Sequence, residues 1–562
     1  MSLFKKAIHV IKRVYYLITS ILLQLFRDLY CRLFHWQLAH REINGSSVSN
    51  FIQANSKYWS KITGESSVKE IWVEGHLAEY GPNYLIRSAV VAKALQSVTN
   101  YKIRVLYNGY FHQWKVAPSL YRSFGIHDSF FFNSHFRVRY IQFQRRAFAE
   151  ASKYWAGIKS GSDILNISYK GVLMGDLIYD DIIKHVPHIF TIEKIEEPYF
   201  KFIEKAFFYY FQYDFLFKSA NVSDFVSTHT AYCEYGLLVR IALKYKVRVY
   251  ETTDMHLAYF DRIGKDCLPT YHEGFANLVR RKLETYKDQA ARDAIMDKNF
   301  SQLHDRMAGK IDQVDVALAF RNKVTYTDSL MREKLMISND NPLVFIICHA
   351  FTDSPHISSW QLYNDYYDWL IKTLQIVRDI DNVNWIIKPH PSSALYNEVG
   401  VVEQLISDSV HHNIFLTPDD FNQNSLIGCA HAILTVQGTV GIEFSCFGIP
   451  VILAGKPFYA GFGFTQEPRT IEEYGQLLKN IRSLEKLNIE QVEKAKLVYG
   501  VYNQCLLPPN EIITMEVLEN VWGYNKPRDI NRAYELVNSS LTTHDCRQMP
   551  AYTATLEIAS SR

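Results

Sequence analysis

Three loops in the second half of the chain gather residues suited to holding a phosphorylated ligand. Ala432-Ile433-Leu434-Thr435-Val436 has the character of a buried strand. It is followed at once by Gln437-Gly438-Thr439-Val440-Gly441 and then by a short helical stretch, Ile442-Glu443-Phe444-Ser445-Cys446, that closes at Phe447-Gly448. In a doubly wound sheet this order puts Gly438 and Thr439 at a helix N-terminus above the carboxyl edge, where free N–H groups favour an anion and glycine lets it approach. Glu443, about one turn in, is placed to accept hydrogen bonds from ribose hydroxyls. A tight strand-helix turn that needs glycine only for packing explains the same residues. Lys388-Pro389-His390-Pro391 follows the strand Trp385-Ile386-Ile387, so its side chains emerge at the same edge, and the two X-Pro steps stiffen the loop that aims His390 and the Lys388 ammonium. His349-Ala350-Phe351-Thr352-Asp353-Ser354-Pro355-His356 follows another strand of that half. Two histidines and one aspartate there suit polar contacts to a sugar or phosphate, or plain loop capping; the spacing matches no zinc-helix pattern and supplies no fourth ligand.

The first half offers carboxylates and a histidine. In Gly171-Val172-Leu173-Met174-Gly175-Asp176-Leu177-Ile178-Tyr179-Asp180, Asp176 stands near a helix start, where a carboxylate is either an N-terminal cap or a catalytic base. His229, in Ser227-Thr228-His229-Thr230, follows a strand and either faces a cleft or is a satisfied, half-buried histidine. Glu74, at the end of Ile71-Trp72-Val73-Glu74, is a weaker candidate of the same kind.

Positioning these residues requires two α/β units. The 562 residues are several times a usual domain, and 48% hydrophobic against 21% charged residues provides for large cores and excludes disorder as the dominant state. A net charge of +3 lacks the basic excess of a nucleic-acid binder. The eight cysteines are scattered without a CxxC pair, as in a cytosolic protein with buried reduced thiols. Strand-type runs at 71–74, 103–107, 163–167, 224–227 and 247–250 alternate with helical stretches such as 84–96 and the aromatic 206–217, a βαβ rhythm that implies a parallel sheet. A second series opens at 343–347 and continues at 385–387, 414–416, 432–434 and 450–453. The aromatic share, 14%, is read first as core packing. The expected organisation is a basic amphipathic segment over 1–45, a first α/β domain over 46–273, a helical bridge over 274–340, a second domain over 341–505, helices over 506–540 and a disordered tail over 541–562.

Gly438-Thr439-Val440-Gly441-Ile442-Glu443, followed by Gly448-Ile449-Pro450-Val451, resembles the donor-nucleotide segment of GT-B glycosyltransferases and of UDP-N-acetylglucosamine 2-epimerases. The continuation Gly455-Lys456-Pro457-Phe458-Tyr459-Ala460-Gly461-Phe462-Gly463-Phe464-Thr465 is similar to the signature of bacterial capsule polysaccharide biosynthesis proteins, the group that includes the capsule Kdo transferases. Phe462 stands where those proteins usually have Trp. Lys388-Pro389-His390-Pro391 and the segment Gly171 to Asp180 resemble stretches of the same family. The resemblance implies two Rossmann-like domains across a cleft and transfer of a sugar from a nucleotide sugar to a glycan or glycolipid, without metal or further cofactor. It implies phosphate contacts at Gly438 and Thr439 and a ribose contact from Glu443; their place at the same sheet edge makes His349, Asp353, His356, Lys388 and His390 further candidate donor contacts, and Asp176 or His229 the candidate catalytic group. A sugar-nucleotide 2-epimerase would share the second-domain motifs, and a capsule assembly or export partner would keep the fold without turnover.

The charge is unevenly spread. Residues 1–41 carry seven basic residues and one acid, a charge of +6, leaving −3 for the rest. The uncharged run Val14 to Phe26 falls short of the roughly 20 residues that span a bilayer, and its apolar positions 14, 17, 18, 21, 22, 25, 29 and 33 form a helical stripe. A basic amphipathic helix lying on an anionic membrane surface, at the cytoplasmic face of the plasma membrane, is the expectation. Full-length protein should therefore sediment with anionic vesicles, and deletion of residues 1–41 should leave most of it in the supernatant; equal sedimentation of both forms contradicts this.

Overall fold

The computed structural model describes residue 22 and residues 47–59, 68–78, 80–108, 116–252, 257–260, 271–309, 318–357, 360–407, 411–505, 512–523, 527–541 and 545–560. The expected amphipathic helix over 1–45 lies outside these, apart from Leu22. Among the described residues no helix is long and apolar enough to cross a membrane.

The first sheet is built from β1 (Glu70–Glu74), β2 (Lys102–Tyr107), β3 (Asp128–Phe131), β6 (Val222–Ser227), β7 (Arg248–Thr252) and β8 (Leu257–Phe260); β4 (Ser168–Tyr169) and β5 (Val172–Leu173) form a separate hairpin. Its order is β3-β2-β1-β6-β7-β8, parallel throughout except for the antiparallel pair β7–β8. The direction of winding reverses between β1 and β6, the topological switch point where open α/β sheets bind ligands. Strand β1 is hydrophobic at successive positions because both faces are covered. Trp72 packs toward the aromatic helix Phe200–Ser219, while Ile71 and Val73 share a core with the helix Pro82–Thr99. That first core absorbs much of the aromatic surplus: Phe207, Tyr210, Phe211, Tyr213 and Phe217 are buried there.

The second sheet, β9 (Leu343–Ile347), β10 (Asn384–Lys388), β11 (Ile414–Leu416), β12 (Ala432–Thr435) and β13 (Val451–Leu453), is wholly parallel in the order β11-β10-β9-β12-β13. Its switch point lies between β9 and β12. The fold is thus α/β with two Rossmann-like sheets, as the βαβ rhythm requires.

Several sequence expectations are corrected. Asp163 to Ile167 is not a strand: Gly161–Leu165 is a helical turn, because Ser160 and Asp163 form a reciprocal capping box that satisfies the turn's free N–H groups. The 274–340 segment is more than a bridge. Helices Tyr271–Thr285 and Gln289–Met307 pack on the helix Ile489–Cys505, and Val279, Leu303 and Met307 share one core with Phe345, Ile386 and Ile433. After residue 505 the chain returns to the first domain, where Ile512, Val517, Val521 and Val537 join the core around Ile71 and Val73. The segment after 541 is not a disordered tail. Residues 545–560 hold a short 3₁₀ turn and the helix Pro550–Ser560, which packs along Pro82–Thr99 and buries Cys546, Met549 and Ala551. Its apolar residues are too few for visible periodicity, but they complete a face that Pro82–Thr99 cannot cover alone. Truncation after residue 541 should cost about 4 kcal/mol or more, since each buried apolar side chain contributes roughly 1.5–3 kcal/mol; urea unfolding of the first domain checks it.

Candidate functional site

At the second switch point the sequence-derived residues do converge. His349, just beyond β9, accepts the backbone N–H groups of Val436 and Gln437 at Nε2, each at 3.3 Å, so its proton lies on Nδ1. The ring stacks on Tyr366 at 4.2 Å and props the loop that leads out of β12. The same Nε2 lies 3.1 Å from Thr435 Oγ1. A Cβ added to Gly438 would stand 3.6 Å from His349 Cε1 and 3.0 Å from Thr435 Oγ1. Both the packing and the ligand reading of the glycine turn find residues here. At Gly441 a side chain would overlap the Tyr459 hydroxyl, which donates to the Gly438 carbonyl, so Gly441 is required for packing. Thr439 is exposed at the start of the helix Val440–Ser445 and supplies no side-chain cap. Glu443 turns the other way. It is buried, with Arg306 Nε of the helix Gln289–Met307 at 3.4 Å, which pins it to a helix of its own domain rather than leaving it to face a ribose.

Lys388 and His390 open onto a cavity of about 760 Å³ walled by residues 318–323 and 416–421. Lys388 is 6% exposed at the end of β10, and burial, with Lys323 next, lowers its ammonium to about 8. It has no hydrogen-bond acceptor among the described residues. His390 accepts the Ser392 backbone N–H at Nδ1, an arrangement fixed by the flanking prolines. These two residues therefore lie on the β10–β11 side of the edge, while His349 and Gly438 lie at the β9–β12 switch. Asp353 is exposed in the loop after β9.

His356 and Asp176 depart from expectation. His356 donates through Nδ1 to Asp180 Oδ1 of the first domain and through Nε2 to the Asn364 carbonyl, both at 2.6 Å. Burial alone would lower this imidazole, but the Asp180 carboxylate and its hydrogen bond raise it to about 9. Both ring nitrogens are spent on an interdomain strut, so His356 is not a donor-sugar ligand. Around it Tyr179 Oη donates to Asp365 Oδ2 at 2.6 Å, Ser162 and Asn364 meet at 3.1 Å, and Lys184 lies 4.4 Å over the Tyr396 ring. Asp176 is clamped by Arg240 through two bonds of 2.6 Å. Burial pushes its carboxyl up, yet the guanidinium outweighs this and holds it below the usual range. It ties the helix Gly175–His185 to Leu237–Lys244 and is neither a cap nor a poised base.

At the first switch point Glu74 ends β1 fully buried. Its carboxylate accepts the backbone N–H and the hydroxyl of Thr228 after β6 and the His76 N–H at 2.6 Å, which closes the two strand ends together. His229 accepts the Ala231 N–H at Nδ1, and burial, then Lys184, push it down to about 4. It is neutral near pH 7, and with Nδ1 accepting, its proton lies on Nε2. Beyond it Tyr232–Gly236 forms a π-helical turn that starts from Tyr232 at φ 60°. Tyr232 lies beside Ser354 of the second domain, so the carboxyl edges of the two sheets meet at this junction. Among the described residues no group of three or more His, Cys, Asp or Glu side chains is placed to hold a metal ion.

Residues 288–500 match the family of capsule polysaccharide biosynthesis proteins. The matched stretch contains the helix Gln289–Met307, the whole second sheet and most of Ile489–Cys505, the same unit that shares one core. No curated protein matches the chain. Among solved structures, it is similar to the beta Kdo 2,4 transferase KpsC of Thermosulfurimonas dismutans (15% identity over 49% of this chain and 78% of that one, TM-score 0.31). It is also similar to the UDP-GlcNAc 2-epimerase of Neisseria meningitidis bound to UDP-GlcNAc (13%, 81% and 100%, TM-score 0.22) and to Anabaena Alr3699/HepE in complex with UDP-glucose (10%, 84% and 100%, TM-score 0.22). TM-scores this low carry no weight for function.

Asp180 lies one helical turn beyond Asp176 in the family-like segment, but its partner His356 is 176 residues away and no local signal links them. The same holds for Tyr179 with Asp365 and for Lys184 with Tyr396. A raised histidine stabilises the fold fully below its unfolded value near 6.5, and that stabilisation is lost as pH climbs through about 9. The stability difference between wild type and His356→Gln should thus shrink by on the order of 3 kcal/mol between pH 6.5 and 10 in urea titrations; a pH-independent difference rejects the strut.

Proposed function

We propose that this protein is a GT-B-type glycosyltransferase that moves a sugar from a nucleotide sugar to a capsule- or lipopolysaccharide-type glycan or glycolipid. The observation that carries this reading is the meeting of two switch points at one domain junction, in a chain whose residues 288–500 match the family of capsule polysaccharide biosynthesis proteins. The donor lies on the second domain and the acceptor on the first. As the bond from the anomeric carbon to the phosphate oxygen breaks, negative charge grows on the leaving phosphate. The Lys388 ammonium, buried and without an acceptor among the described residues, with His390 and Lys323 beside it, supplies compensating charge in a low-dielectric cavity, where it is worth more than in water. The Gly438-Thr439 turn, steadied by His349, offers N–H groups to the nucleotide, and Asp353 reaches the sugar. His229, neutral and protonated on Nε2, donates to an oxygen of the substrate. No metal or further cofactor is needed for these roles. Transfer of Kdo from CMP-Kdo is the sharpest form of the proposal, and residues 1–45 hold the enzyme to the anionic inner face of the plasma membrane, beside a lipid-linked acceptor.

A panel of CMP-, UDP- and GDP-linked sugars tests this. One of them should raise the melting temperature and be consumed when an acceptor is supplied, and Lys388→Ala should raise KM for that donor at least about tenfold. If none shifts the melting temperature and none is turned over, the proposal fails.

A further inference from the structure

A second cavity, of about 360 Å³, lies in the seam between the domains, and the donor machinery leaves it unused. Ser162, Asn166 and Asp176 wall it from the first domain, and Trp360, Gln361 and Asn364 from the second. It adjoins the glycine turn after β12. The Trp360 carbonyl accepts the Lys456 N–H at 3.0 Å and the Leu362 N–H donates to the Ala454 carbonyl at 2.8 Å, which lays residues 360–362 along the end of β13. At Gly455, between those two partners, a Cβ would stand 2.7 Å from Val436 Cγ1, and the Val436 N–H is one of the two that His349 accepts.

The chemistry of these walls differs from that around Lys388. Among the described residues no lysine or arginine lines the cavity. Its charged groups are the imidazolium of His356, spent on Asp180, and the Asp176 carboxylate, which Arg240 keeps ionised, so nothing there offsets a phosphate. Groups that suit hydroxyls are present instead. An ionised carboxylate has about four acceptor positions, and at Asp176, whose side chain is 11% exposed, Arg240 and the Leu177 N–H fill all but one. Asn364 Oδ1 accepts the Ser162 hydroxyl at 3.1 Å, and its Nδ2 makes no hydrogen bond among the described residues. Trp360 is 40% exposed, and its indole N–H makes none either. An open indole beside a carboxylate and an amide presents an apolar face rimmed by polar atoms, which matches the C–H face and hydroxyl rim of a sugar ring.

The cavity continues past the seam. Leu362, Tyr363 and Asn364 also wall a groove of about 330 Å³ between the helices Tyr366–Val377 and Ile471–Lys479. Asp368, Lys372 and Ile376 follow one another along the first helix, so the groove runs roughly 12 Å at 1.5 Å per residue. Ile471, 47% exposed, stands on the opposite side, and the one acid and one base of the groove balance. We infer that the seam cavity and this groove form a binding track for a neutral oligosaccharide, with one sugar ring on Trp360 and the following units between the two helices. The inference rests on the glycosyltransferase reading and sharpens its acceptor. That acceptor is a chain of several neutral sugars that crosses from the first domain onto the second, rather than a single sugar unit.

An array of oligosaccharides of one to about six units, some neutral and some carrying carboxylates or sulfates, tests this with the full chain. A neutral oligosaccharide should be retained, and in titrations its affinity should rise at least about tenfold from one unit to three. Trp360→Ala should weaken the three-unit ligand at least about tenfold, and Trp360→Phe should recover part of the loss, both with the melting temperature of wild type. Ile471→Glu, across the groove, should weaken the three-unit ligand at least about fivefold while the one-unit ligand stays within threefold of wild type, a split by length that loosening of the fold does not produce. Retention of no oligosaccharide, retention of charged ones alone, or a three-unit affinity within threefold of wild type in Trp360→Ala overturns the inference. Oligosaccharide binding by a protein that no nucleotide sugar stabilises and that turns none over leaves the track standing and overturns instead the glycosyltransferase reading.

Discussion

One imidazolium carries the relation between the two domains. His356 is buried where an uncharged ring would ordinarily be favoured, yet it sits between the Asp180 carboxylate and the Asn364 carbonyl and uses both of its N–H groups. Removing a charged pair from water costs several kcal/mol, and the cost is met only when every polar atom finds a partner with good geometry. Here the partners come from the helix Gly175–His185 on one side and from the loop and helix start around Asp365 on the other. The strut therefore exists only while the two sheets keep their register. Tyr179 on Asp365 and Lys184 over Tyr396 add to the same seam.

Because that seam is fixed, the carboxyl edges of the two sheets keep a constant relation, and each carries charged groups of its own. In the second domain Lys388 lines a cavity with Arg321, Lys323 and His390 and with the acids Glu403 and Asp419. In the first domain Glu74 is buried and spent on Thr228 and the His76 N–H, and His229 is neutral.

The ion pairs that look functional from composition alone divide into two kinds once their partners are known. Asp176 with Arg240 and Glu443 with Arg306 are closed pairs inside one domain, and they align helices. A carboxylate near a glycine or a helix start carries the same local signature in either role. The partner guanidinium is what decides, and it is distant in sequence: Arg240 lies 64 residues from Asp176.

Local sequence was enough to determine β1, β2, β6, β7 and the five strands of the second sheet to within about two residues, but not the edge strands β3 and β8; it also determined the glycine turn after β12, the Lys-Pro-His-Pro loop at the end of β10 and the α/β class. These follow from side-chain periodicity and from glycine and proline stereochemistry, which act over a few residues. The helical turn Gly161–Leu165 was mistaken for a strand because its capping box outweighed a strand-like composition. The helix Pro550–Ser560 was missed because its order comes from the face of Pro82–Thr99 that it covers. Which carboxylates and histidines are spent on structure, and which stay open at the junction, was decided by tertiary structure alone. A charge or a ring nitrogen is free or bound according to atoms that lie tens to hundreds of residues away along the chain, and only the packed fold brings those atoms within hydrogen-bond reach.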